Sequence, residues 1–178
     1  MSLSRDDILL DNIKEALALY QRSLVWATTA ALSGGLITLR LRDKNPPAIS
    51  ILFGTLSAPV AWFLAQVVYV VFGALAFGAL ERYRRSLEEL NPSPEIFDAI
   101  QLFPSLATLQ GRFFRLGSVL LPLLVTYISW IVEMVSEGSQ PLDVYTVIGG
   151  LFVATILLTP YAAILLLLRT LRKWRPKK

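Results

Sequence analysis

Residues 58–80 read APVAWFLAQVVYVVFGALAFGAL, a run with no charged side chain. At ~1.5 Å per residue, a helix over this run crosses a hydrocarbon core ~30 Å thick. Within the run, Val67, Val68, Tyr69, Val70, Val71 and Phe72 follow one another without a polar break. A strand of a membrane barrel needs about ten residues of alternating polarity, and no alternation is present. Backbone N–H and C=O groups in lipid must be paired internally, so the run reads as a helix.

Three further stretches without charge repeat the pattern: Ser23–Leu39, Leu116–Val132 and Val144–Leu168. The fold class expected is therefore all-α, an integral membrane protein with four transmembrane helices. The spans fall at about 23–41, 58–80, 115–135 and 144–168 of a single membrane domain, 1–178. Over half of the 178 residues are hydrophobic and mean hydropathy is +0.57. With only 17% of residues charged, a soluble chain of this size could not cover that apolar surface.

The segments between spans have their own patterns. Residues 1–22 carry Asp6, Asp7, Asp11 and Glu15 against Arg5, Lys14 and Arg22, too acidic for the start of a cleaved leader. Leu9, Ile13, Ala16, Leu17 and Tyr20 recur at helical spacing, and no Gly or Pro interrupts the run into the first span. One continuous helix is expected, amphipathic and cytoplasmic in its first half, with Ser4 as its N-cap. Asp43–Pro47 breaks the chain, and the apolar segment 48–57 reads as a short interfacial or re-entrant piece. The second helix should run past the membrane to about Leu90, stopped by Asn91-Pro92. Ser93-Pro94-Glu95 then starts a short helix in a helical cytoplasmic linker, 81–114. Pro122 and Pro160 should bend the third and fourth spans locally.

With four spans, fourteen Lys and Arg residues fall beside the N-terminus, the second linker and the C-terminus. Only Arg40, Arg42 and Lys44 fall on the other side. This asymmetry predicts both termini inside, in a bacterial inner (plasma) membrane. The tail 169–178 holds six basic residues in ten. Together with Arg82, Arg84 and Arg85, its Arg172, Lys173 and Arg175 are expected to contact anionic lipid headgroups. Nucleic-acid binding usually brings aromatics interleaved with basic residues, but Tyr83 and Trp174 are equally explained as interfacial anchors, so no nucleic-acid partner is expected.

The chain has neither Cys nor His. It therefore lacks a thiolate nucleophile and the usual general base and transition-metal ligand near neutral pH. No cofactor, no metal and no enzymatic activity are expected. Two features of helix one suggest function instead. Asp11, Glu15, Arg22, Trp26, Thr29, Ser33, Arg40 and Lys44 share one polar stripe, which could line an aqueous path through Thr29 and Ser33 to Arg40 at its outer end. Bonds from the two hydroxyls to their own helix carbonyls, with the arginines snorkelling, explain the stripe without a path. The opposite face carries Ala27, Ala31, Gly34 and Gly35, suited to close helix packing, as do Gly73 and Gly78 on helix two. Gln66 is a buried carboxamide for which Thr126, Ser129 or Thr155 could be partners.

These features lead to a non-enzymatic, oligomeric membrane protein that forms a channel or pore, as a homo-oligomer or with other membrane subunits. An accessory or scaffold subunit of a larger membrane complex is the alternative. A lipid-modifying enzyme is a third reading, and it would need acids clustered near one membrane face.

Overall fold

A computed structural model describes residues 4–41, 49–51, 54–102, 105, 107, 117, 119–121, 124, 128 and 144–173. The described chain is mostly helical. Its elements are α1 (Arg5–Leu41), β1 (Ile49–Ile51), β2 (Gly54–Leu56), α2 (Ala58–Leu90), α3 (Pro94–Gln101) and α4 (Val144–Lys173). At its described positions, Gly117, Val119, Leu120, Leu121, Leu124 and Ile128, the third expected span is helical. Pro122, the breaker Asp43–Pro47 and the linker beyond Ala107 lie outside the described residues, as does the tail from Trp174.

α1 is one unbroken helix, as its sequence requires. Its start is a reciprocal cap. The Asp7 N–H donates to Ser4 Oγ at 3.2 Å, while the Asp7 carboxylate accepts from the Ser4 N–H and hydroxyl at 3.2 and 2.7 Å. Those bonds favour the charged form, so Asp7 titrates below the usual carboxylate range. α2 begins with Pro59 in its first turn, where the missing N–H costs nothing. It ends as Asn91 turns into the left-handed region (φ 42°), its N–H still bonded to the Leu87 carbonyl at 3.0 Å. Asn adopts that conformation more readily than most residues. Ser93 then caps α3, accepting from the Ile96 N–H at 3.4 Å, with Pro94 and Glu95 in the first turn. α4 continues through Pro160.

Segment 48–57, expected to be an interfacial or re-entrant piece, contains a small antiparallel hairpin, with Ile49 opposite Leu56, Ser50 opposite Thr55 and Ile51 opposite Gly54. Isoleucine and threonine suit extended backbone, and Ile49, Ser50 and Ile51 alternate in polarity.

One helix among the described residues, α2, is long and apolar enough to cross a membrane, with a mean hydropathy of 2.1 over its best 18 residues. Within α4, Thr155–Leu171 is helical and apolar.

The chain divides into two compact units. One comprises Met1–Val25, Gly73–Val119 and Pro160–Lys178; the other comprises Trp26–Phe72 and Leu120–Thr159. The first has a core of large side chains, among them Ile13, Leu17, Tyr20, Leu24, Leu80, Leu87, Tyr161 and Ile164. In the second, α1 and α2 bury mainly small residues, Ala27, Ala30, Ala31, Ala58 and Ala61, beside Gln66 and Tyr69.

Candidate functional site

In the second unit the small face of α1 packs against α2. Ala27, Ala31 and Gly34 are buried, and Gly35 is half-buried. A Cβ added at Gly34 would stand 3.0 Å from Gln66 Nε2 and 3.7 Å from Ala65 Cβ. Glycine thus lets a carboxamide lie against the helix backbone. Gln66 is buried, and its Oε1 has no hydrogen-bond partner among the described residues. Of the partners expected for it, Thr126 and Ser129 lie outside the described residues. Thr155 is exposed, and its carbonyl accepts the Thr159 hydroxyl at 2.6 Å. The neighbour that the structure places at Gln66 is therefore α1 at Gly34.

The stripe of α1 faces outward. Asp11, Glu15, Arg22, Trp26, Thr29 and Ser33 are all exposed on the single chain. Trp26 stacks on Phe72, with ring centroids 6.0 Å apart and planes 20° from parallel. Arg40 lies in the last turn of α1, and its side chain is outside the described set. Two acids of the stripe are paired: Asp11 with Lys14 at 3.4 Å, and Glu15 with Arg82 of α2 at 3.7 Å.

In the first unit Gly73 is buried beneath Tyr161. A Cβ there would come within 2.8 Å of the ring, so only glycine admits this approach. Gly78 is different: it is exposed, with nothing within 4 Å of a would-be Cβ. Tyr20 and Ser23, one turn apart on α1, are fully buried. Neither hydroxyl has a partner among the described residues. Burial pushes the Tyr20 phenol well above its ordinary value.

Arg84 and Arg85 converge on Glu81, with Arg84 Nη2 and Arg85 Nε donating to the same carboxylate oxygen at 2.9 and 3.0 Å. Arg84 also lies 3.9 Å from Glu88. Burial alone would raise the Glu81 pKa, but the hydrogen bonds and charges of Arg85 and Arg84 outweigh it. The carboxyl titrates below its ordinary value. Of the residues expected at lipid headgroups, Arg82, Arg84 and Arg85 thus have acids of their own chain as neighbours. Arg172 and Lys173 are in the last turn of α4 with side chains outside the described set, and Arg175 lies beyond it.

Among the described residues, no three acids cluster closely enough to hold a metal ion. Comparison with protein-family models, with curated proteins and with solved structures returns no match. Among the contacts not anticipated from sequence are Tyr161 on Gly73, and Glu81 under two arginines. The second had a signal, because Glu81 stands three and four residues before Arg84 and Arg85. The first joins residues 88 positions apart and had none.

Proposed function

We propose that the chain is a four-span helical protein of a bacterial inner membrane, with both termini cytoplasmic. In this reading it is non-enzymatic and works as an assembly that forms a channel or pore. The observation that carries the reading is the two-sidedness of α1 and α2. The small face of α1 is buried within the chain, while Trp26, Thr29 and Ser33 of the stripe are exposed. On α2, Val60, Phe63, Leu64, Val67, Val68, Val71 and Leu75 are exposed, and only 33% of its most apolar window is buried. A core helix of a soluble protein would hide such side chains, whereas lipid or a second copy suits them.

Arg40 follows Ser33 by two turns on the same stripe and would form a basic ring at the outer mouth of a path. Contact with anionic headgroups shifts in this reading toward the C-terminal basic residues, since Arg82, Arg84 and Arg85 have acidic neighbours. Two measurements test the proposal. Cysteines introduced at Asn45 and Gly138 should react with an impermeant reagent in intact cells, and those at Ser93 and Lys177 should not. Labelling at Ser93 would refute the topology. In reconstituted bilayers under a salt gradient, Arg40→Glu should move the reversal potential toward cation preference while particle size is unchanged. Well-folded protein without conductance would favour the second reading, an accessory subunit, which the exposed apolar residues Ile8 and Leu102 also support.

A further inference from the structure

α1 and α3 enclose an open apolar groove of about 300 Å³, lined by Leu10, Ile13, Lys14, Ile96, Ala99 and Ile100. Its only charged lining residue, Lys14, is paired with Asp11 at 3.4 Å. Ile96 of the lining is 43% exposed, and apolar surface continues beyond the groove at Ile8, 50% exposed, and Leu102, 74% exposed. The surroundings are acidic. Segments 4–15 and 88–102 carry eight Asp and Glu against two basic residues, in a chain whose net charge is +4. Asp6, Asp7, Glu95 and Asp98 are exposed, and none forms an ion pair among the described residues. By helical spacing Asp6 and Asp7 lie one turn before Leu10, and Glu95 lies one turn before Ala99, so acids stand on both walls.

We propose that this groove is a docking site for a basic amphipathic helix of a partner protein. Apolar side chains of that helix at positions i, i+3 and i+4 would enter the groove, and its Lys and Arg would meet the acidic rim. Charge complementarity selects this occupant. A fatty acid or an anionic lipid would bring negative charge to a negative rim. The groove does not depend on the membrane reading. In the four-span topology its α1 residues lie roughly 13 to 20 Å along the helix before the first span begins.

The test uses the full chain in zwitterionic nanodiscs and a fluorescein-labelled helical peptide of Leu and Lys, about 18 residues long. Fluorescence anisotropy should show saturable binding above that of empty discs, and no binding of the matching Leu and Glu peptide. Ala99→Phe, which fills the groove, and Glu95→Gln with Asp98→Asn, which neutralises one wall, should each weaken binding by about tenfold. The second variant changes only exposed side chains and serves if the first misfolds. Equal affinity for all forms, or binding to empty discs alone, overturns the proposal. Binding only after removal of residues 174–178 also overturns it, and assigns the groove to the chain's own basic tail.

Discussion

The two halves of α1 solve the same packing problem with opposite materials. In the first unit the helix buries Leu9, Ile13, Leu17, Tyr20 and Leu24; in the second it buries Ala27, Ala30, Ala31 and Gly34. Large apolar side chains are driven together where water surrounds the helix, because burial removes their surface from it. Lipid tails are as apolar as leucine and supply no such drive. Helices there gain from close backbone approach, which small residues allow. Such a change of residue size along one helix suits the proposed entry of α1 into the bilayer near Ser23.

Truncating the large-residue half should have the biggest effect. Leu17 is fully buried, and Leu17→Ala should cost about 2–5 kcal/mol through lost burial and the cavity left behind. Thermal unfolding of purified protein measures this. A cost near zero would mean that Leu17 is not packed in the core that its burial implies.

Enlarging the small residues comes next. Gly73→Leu would drive a side chain into the Tyr161 ring, and Gly34→Leu into Gln66, each at about 1–3 kcal/mol. Gly78→Leu should be close to neutral, since nothing lies within 4 Å of its Cβ. Melting temperature and elution volume of the three variants decide the matter. If Gly78→Leu lowers particle size while leaving the monomer folded, Gly78 packs against another copy rather than lipid.

Local rules made much of this legible. The length of α1, the stop at Asn91-Pro92 and the Ser93 cap each depend on a few neighbouring residues. Non-local packing was less accessible. Gly34 and Gly35 are equivalent by composition, and only the phase of the helix against Gln66 separates the buried one from the half-buried one. The groove at Leu10 and Ile96 needs two elements brought together from distant segments. The arginines after α2's apolar run were read for topology, and their pairing with Glu81 was obscured by that stronger pattern.

Tyr20→Phe should improve the large-residue core. The hydroxyl is buried without a partner among the described residues, and deleting it removes the desolvation cost of an unsatisfied group. A gain of about 1 kcal/mol is expected, read as a higher melting temperature. A loss instead would reveal an ordered water or an unseen acceptor at Tyr20. The raised pKa adds a spectroscopic check: phenolate absorbance from Tyr20 should be absent on titration until the fold is lost.

The smallest effect concerns pH at the end of α2's apolar run. Arg84 and Arg85 hold Glu81 in its charged form and depress its pKa below 4.5 in the folded chain. A carboxylate with a depressed folded pKa contributes stability that is fully present above its unfolded value. That contribution is lost as pH falls through the folded one. Stability should therefore decline as pH drops from about 4.5, and Glu81→Gln should flatten part of that decline while lowering stability slightly near pH 7. Both arginines reach solvent, Arg85 at 71% side-chain exposure, so screening limits the pairs to at most about 1 kcal/mol. Melting curves between pH 3 and pH 7, with and without added salt, measure the difference. An identical pH slope in Glu81→Gln would mean that the acid sensitivity resides elsewhere. Asp7, whose carboxylate accepts two bonds from Ser4 at the start of the same unit, would then be the carboxylate to replace next.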